Sequence, residues 1–432
     1  MKKYLLVAIL LAINSFLVTT YAITEHTASD KPETKPQTYA FAIDRYYSPY
    51  SSATCIITTR SLFNTLGDHL IQSSWENSFW LRWPYLATNN LVNDLLMLIQ
   101  HEMNGHGFRA RSAGNEVTGY SLSFLINNHP ASLLVALVAP MNSLGGATSF
   151  QPSTNKPSLD YELLSCIAGN EANAVLANEL ILQNFKYRKL DYRDYNLFFK
   201  SFTNLLGYVI LTSPTRQGDD IAVYLDYMSH KYGSNTLTLK ELEYSAWIFF
   251  LNPMLYTSIW SFYVYAFKNQ PTTSILALSF GRCAYMPIIR IGLTPFGIGY
   301  YIDNYLAYSH STLLVTLQLG KIPGQQRYFS GISSKTVDLY TYKKYTLDLK
   351  AGLFYQPELI LDDTSSTSAN APSHWVYMLG IQNRLQLTDY FSLSGSVAYK
   401  NAGFMEGIVA QKGWMWEAGL AVSFLVAAIE EQ

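Results

Sequence analysis

The residues His101-Glu102-Met103-Asn104-Gly105-His106-Gly107 bring two imidazoles and a carboxylate together directly after the apolar, helically spaced run 92–100. Two histidines can hold a Zn²⁺ ion, and an adjacent glutamate can take a proton from water activated by that ion, which is the chemistry of a metal-dependent hydrolase. In the common zincin motif the histidines stand four apart and share a helix face. Here they stand five apart. On a regular helix that separation turns through about 500° and leaves the imidazoles roughly 140° apart, too far round to share an ion. A local widening of the i to i+5 type restores the common face, and such π-type turns concentrate at functional sites. Gly105 falls where the distortion belongs, and glycine tolerates it best.

A third ligand must come from another element. Residues 158–184 read as a helix, and Glu171 sits on it among Ile167, Ala168, Ala174 and Val175. A carboxylate in so apolar a setting is costly unless a cation satisfies it, and the small neighbours leave room for the histidine helix to approach. Glu162 and Glu179 on the same helix are rival ligands. His129 is a candidate catalytic residue that could stabilise an oxyanion, and Tyr161 is a weaker one. Arg109 and Arg111 could pair with a substrate carboxylate or with acids around the metal, or simply favour a helix C-terminus.

HEMNGH matches the HExxGH pattern of the dipeptidyl peptidase III family, and the chain resembles that family of zinc metallopeptidases at this point. The resemblance implies zinc held by His101, His106 and a glutamate of a downstream helix. The family's second motif, EExxA followed by an acid, is similar to Asn170-Glu171-Ala172-Asn173-Ala174, with Asn170 in place of the first acid and Val175 in place of the last. It implies Glu171 as third ligand. About a dozen residues carry the resemblance, and neither the second half of the chain nor a secretion signal belongs to that family.

Residues 39–270 show mostly helical apolar spacing. After Gln270 the period changes to two. The segments near 273–280, 286–294, 297–308, 312–320, 335–342, 345–353, 375–387, 391–399 and 414–424 read as eight or nine strands, apolar and aromatic on one face and small or polar on the other. Aromatic residues gather near strand ends, at Trp375, Tyr377, Tyr390, Phe391, Trp414 and Trp416, as in a transmembrane β-barrel; a soluble sandwich would alternate equally well. The fold expected is α+β: an N-terminal helical zincin-like domain (39–270) followed by a C-terminal antiparallel β-barrel of about eight strands (271–432), probed by lipid on its outer face. The apolar stretch 245–267 is long enough to span a bilayer but is interrupted at Asn252-Pro253. It reads as a helix between the two halves or on the membrane. An inner-membrane helical protein is a competing reading, supported by 132–140 and 205–213.

Lys2, Lys3, the apolar run 4–18 and the small-residue exit at Ala22 form the pattern of a secretory signal peptide (1–22), followed by a polar, flexible leader (23–38). Cleavage would remove two lysines and no acids, taking the net charge from −1 to −3. With only 14% charged residues and no basic excess, the chain is suited neither to disorder nor to nucleic acid. Three scattered cysteines make no disulfide framework. The function expected is a secreted, envelope-associated zinc hydrolase acting on a peptide or protein, in contact with membrane lipid and placed in the outer membrane. The alternative is a noncatalytic outer-membrane or structural protein with a vestigial metal motif.

Overall fold

The computed structural model describes residues 37–70, 78–124, 144–151, 157–211, 219–234, 236–308, 311–361 and 368–424. The expected signal peptide, most of the leader, His129 and the 132–140 segment lie outside them. The chain begins with strand β1 (Gln37–Asp44), helix α1 (Pro49–Leu70) and helix α2 (Phe79–His101). A π-helical turn, Glu102–His106, continues α2 into the short α3 (Gly107–Ser112), and the hairpin β2 (Glu116–Phe124) and β3 (Leu144–Gln151) follows. Helix α4 (Leu159–Asn184) is capped by the Ser158 side chain, which accepts from the Tyr161 N–H, so the helix expected over 158–184 forms with nearly those bounds. Then come β4 (Lys189–Asp191), α5 (Tyr192–Leu211), α6 (Asp220–Tyr232) and α7 (Leu239–Ala246). A 3₁₀ turn, Trp247–Leu251, leads into α8 (Pro253–Lys268). The apolar 245–267 stretch is therefore no single helix: Asn252 caps α8 by accepting from the Met254 N–H, and Pro253 opens it.

The rest is strand: β5 (Thr272–Ser274), β6 (Leu278–Phe280), β7 (Cys283–Thr294), β8 (Gly297–Tyr308), β9 (Ser311–Lys321), β10 (Tyr328–Val337), β11 (Tyr340–Tyr342), β12 (Tyr345–Pro357), β13 (Ser373–Gln386), β14 (Phe391–Lys400) and β15 (Gly413–Phe424). Apart from β5, which pairs with β4, they join β1 in one antiparallel sheet of order β1-β15-β14-β13-β12-β10-β9-β8-β7-β6, with β11 on β12. Most of these strands fall where the period-two pattern puts them, but the single strand expected at 335–342 is split between the end of β10, which begins at Tyr328, and the short β11. The hairpin β2–β3 and the short β4 lie within the region expected to be helical, and β1, across the expected leader and helical domain, pairs with β15 along Gln37↔Phe424 to Asp44↔Glu417. Its apolar positions Tyr39, Phe41 and Ile43 alternate too, but the strand stands alone in sequence and finds its partner nearly 400 residues on.

The expected closed barrel is not formed: among the described residues β1 and β6 end the sheet without meeting. Helices fill the space a closed cylinder would need, and a helix also seals the β1 edge. The Thr58 hydroxyl of α1 accepts from the Ala40 N–H at 2.9 Å and donates to the Ala40 carbonyl, and the Cys55 thiol does the same for Ala42. An open edge otherwise presents unpaired backbone groups. The two halves share one core, in which Leu163, Ile167, Leu180 and Ile181 of α4 pack in a cluster with Met286, Ile288, Tyr305 and Leu314 of the sheet.

Thr58→Val should expose the cost of this seal. It leaves two buried backbone groups unpaired and should lower stability by about 1–3 kcal/mol, read from urea or thermal midpoints. Thr59→Val, whose hydroxyl bonds only the Cys55 carbonyl of its own helix, should do much less.

Candidate metal centre

The π-helical turn over Glu102–His106 is the widening that the five-residue spacing demands, and it brings the two imidazoles together. Their Nε2 atoms stand 3.3 Å apart. Glycines let the neighbouring helix come close. A Cβ on Gly105 would meet the Ala168 carbonyl oxygen at 2.6 Å and the Gly169 Cα at 2.7 Å, and a Cβ on Gly169 would meet His101 Nε2 at 2.2 Å. Only the absence of side chains at both positions permits α4 to lie against the turn.

The third group is Asp220, not Glu171. Asp220 Oδ2 lies 3.1 Å from His101 Nε2 and 3.2 Å from His106 Nε2. The three are the group of His, Cys, Asp and Glu side chains among the described residues able to hold an ion. Asp220 opens α6, where its neighbour Asp219 takes the capping role by accepting from the Ile221 and Ala222 N–H groups. Of the two adjacent acids one caps the helix, and the other is left to face the histidines. Nothing in the spacing of the chain marks Asp220; the paired acids at a helix start are the only signal.

Glu171 is withheld from the histidines by Arg109. The carboxylate accepts from Arg109 Nη2 at 2.5 Å and Nε at 3.2 Å, and from the Gly407 backbone N–H. Arg109 stands one turn past His106 and also donates to the Ile408 carbonyl. The apolar setting that suggested a cation for Glu171 is therefore satisfied by a guanidinium. The rival acids are also elsewhere: Glu179 pairs with Lys335 at 2.5 Å, and Glu162 faces Tyr227. Tyr161 accepts from Asn115. Arg111 donates to the Met103 carbonyl of the π turn and to the Tyr120 hydroxyl, bracing the turn.

The donor atoms suit a metal. Four ligands placed tetrahedrally at ~2.0–2.1 Å around Zn²⁺ lie ~3.3 Å from one another, close to the separations found here. The tautomers agree as well. His106 Nδ1 lies 2.8 Å from the Ser165 carbonyl, which can only accept, so Nδ1 carries a proton and Nε2 is the nitrogen left to face Asp220, as an N–H donor in the imidazolium or as a lone pair in the neutral ring. His101 Nδ1 faces the side-chain amide of Asn173 at 3.2 Å, while Asn173 Oδ1 is buried without a hydrogen bond. Turning that amide over lets Oδ1 accept from Nδ1–H, which frees His101 Nε2 in the same way. With both rings neutral, two lone pairs and a carboxylate oxygen converge and call for a cation between them, a role a proton on His106 or a metal ion can fill. The field has that sign. Burial lowers the affinity of His106 for a proton, yet Asp220 beside it, with Glu102 and the Ser165 carbonyl, pushes its pKa up to about 9; the histidines hold the Asp220 carboxyl well below the usual range against its burial.

Glu102 is not one of the ligands. Its Oε2 accepts from the Thr148 hydroxyl of β3 at 2.8 Å, and that hydroxyl also lies 3.0 Å from the Glu102 carbonyl. Gly146, again without a side chain, makes room for it. Tyr208 of α5 stacks on His101 with the rings 3° from parallel and its hydroxyl 3.4 Å from Nε2. A cavity of about 560 Å³ lies apart from these donors, between α1, α4 and the inner face of the sheet, where Tyr50, Glu179, Lys335, Lys350 and Glu417 line it.

No known protein family, characterised protein or solved structure matches this chain.

Asp220→Ala should lower zinc affinity by at least ~10–100-fold in a metal titration, whereas Glu171→Gln should keep the ion. The same Glu171→Gln protein should be destabilised by about 3–5 kcal/mol, because it leaves the Arg109 charge buried without its partner. Gly169→Ala should displace the His101 ring and lower zinc affinity in the same titration, with α4 otherwise intact by circular dichroism.

Proposed function

We propose that this protein is an envelope-associated, zinc-dependent hydrolase whose substrate is a peptide or protein. The observation that carries the reading is the convergence of His101, His106 and Asp220 donor atoms, 3.1–3.3 Å apart, on a π turn that also bears Glu102. A divalent ion held by these three residues would polarise a scissile carbonyl and acidify water. Within the chain, Glu102 is the general base and later the acid, and Thr148 fixes which of its oxygens faces the reaction. Tyr208, beside His101, is placed to donate a hydrogen bond to an oxyanion. The HExxGH resemblance supports zinc and peptide chemistry, with Asp220 in the place that the resemblance assigns to Glu171.

The outer face of the sheet supports a place in a membrane. Exposed aromatics stand at one end of the strands (Tyr300, Tyr328, Tyr355, Trp375, Trp414) and at the other (Tyr308, Tyr340, Tyr345, Tyr390), with Leu317, Ile332, Leu353, Leu379 and Leu420 exposed between them. On β12 and β13 the aromatic pair Tyr355↔Trp375 and the pair Tyr345↔Leu385 are ten residues apart. At ~3.3 Å per residue and a tilt of ~40° that is ~25 Å of height, the apolar band of an outer-membrane wall.

Glu102→Gln separates catalyst from relic. It should retain zinc and lose turnover on a peptide library by a factor of roughly 10² to 10⁴. A zinc-loaded Glu102→Gln protein that processes peptides as fast as the wild type would mean a structural ion.

A further inference from the structure

The sheet is open, yet the perimeter of the molecule is continuous. Helix α1 lies along β1 through Thr58 and Cys55. It meets α2 where Gly67 faces the Tyr85 hydroxyl. Helix α2 in turn packs on α8: the Phe79 and Trp83 rings lie 5.9 and 6.0 Å from Phe267, and Arg82 donates to the Tyr265 carbonyl at 3.0 Å. From α8 the chain runs back through the 3₁₀ turn to the β7–β8 side, where the Ser245 and Tyr300 hydroxyls are 2.8 Å apart. Helices thus span the gap between β1 and β7.

The outward faces of these helices have the wrong polarity for water. On α2 the exposed positions run Trp80, Pro84, Thr88, Leu91 and Leu95 at helical spacing, without one charge, while Arg82, Asp94 and His101 are buried. On α8 the exposed stripe is Tyr256, Ile259, Trp260, Tyr263 and Phe267, and the opposite face, with Met254, Leu255, Val264 and Ala266 beside Ser258 and Ser261, is buried and uncharged. A helix whose outward face is apolar while its inward face is buried is one covered on both sides, by protein or by lipid. The single charge, Lys268, stands at the helix end with its ammonium over the Trp260 and Tyr263 rings, as a lysine does where hydrocarbon meets water. On α1, Leu62, Phe63 and Leu66 continue the apolar surface beside β1.

We infer that α1, α2 and α8 complete the wall that the sheet leaves open and face lipid acyl chains together with it, so that the molecule is a cylinder of mixed helix and strand with α4 and the metal donors inside. The inference rests on the membrane reading of the sheet. The levels agree. Ser245 meets Tyr300 of one aromatic end, and Tyr244 and Trp247 are exposed there, just after the charged Lys240, Glu241 and Glu243. The sixteen residues of α8 then cover ~24 Å, the height of the strand band, and lead towards Cys283, which pairs with Tyr308 at the other end. No helix among the described residues is long and apolar enough to cross a membrane by itself. Helix α2 shows why: Asn89, Asn90, Asn93, Asp94 and Gln100 on its inner face dilute an outer face that is mostly apolar and uncharged throughout.

Spin labels test this on the full chain in phosphatidylcholine vesicles, with Cys55 and Cys283 replaced by serine and Cys166 left buried. Single cysteines at Ile259, Leu91 and Leu66, at Leu379 on the sheet and at Glu243 are compared for collision with oxygen and with a water-soluble nickel chelate. The expected result is oxygen-dominated relaxation at Leu379 and at all three helical positions, and nickel-dominated relaxation at Glu243. Oxygen dominance at Leu379 with nickel dominance at the helical positions would overturn the composite wall and leave the sheet's membrane reading standing. Nickel dominance at Leu379 and the helical positions alike would overturn both.

Discussion

The constraint on which the rest depends is the burial of α4 on every side. Twenty-one of its twenty-six residues are buried, and they include Asp160, Asn170, Glu171, Asn173, Asn178 and Glu179. A polar group taken out of water costs free energy unless it is paired. Each acid therefore draws a cation from a different element: Asp160 takes Lys231 of α6, Glu171 takes Arg109 of α3, and Glu179 takes Lys335 of β10. Asn178 reaches the Tyr305 hydroxyl of β8, and Asn173 faces His101. These pairs set how the helices and the sheet lie around α4. They are directional where the apolar contacts are not, so they select one arrangement from many that would bury similar area.

The grouping of His101, His106 and Asp220 is a product of the same requirement. Small residues at Ala168 and Gly169 bring α4 against the π turn, the Ser165 carbonyl of α4 fixes the His106 tautomer, and Asn173 addresses His101. Helix α4 adds no side chain to that group. It orients both histidines from behind, as the partners of metal-binding imidazoles commonly do. Arg109 has a matching part: by holding Glu171 it keeps a strong competing carboxylate away from the histidines, and Asp220 completes the group from another helix.

Charge is distributed inside out in this molecule. Arg60, Arg109, Arg290, Lys200, Lys231, Asp94 and Asp303 are almost fully buried, while Trp80, Trp247, Trp375, Trp414 and Leu319 are among the exposed side chains. Internal ion pairs such as Lys200 with Asp94 and Arg290 with Asp303 and Glu406 hold the interior charges in place. Such pairs contribute little net stability and are costly to break, so they favour a specific interior over an adaptable one.

The period of two after Gln270, the helix over 158–184 and the π turn were all legible in the order of residues, because each is decided within one or a few turns of chain. Strand alternation and a Ser cap are local, and a five-residue histidine spacing leaves a helix one way to align both rings. The pairing of β1 with β15, the helices in place of barrel closure, and the choice of Asp220 over Glu171 were decided only by tertiary structure. Glu171 met every local condition for a ligand, and an arginine one turn beyond His106 claimed it. Asp220 shows as no more than one of two acids opening a helix. Whether a carboxylate meets a guanidinium or two imidazoles depends on which helix lies across it, and that is set by the packing around α4, not by spacing along the chain.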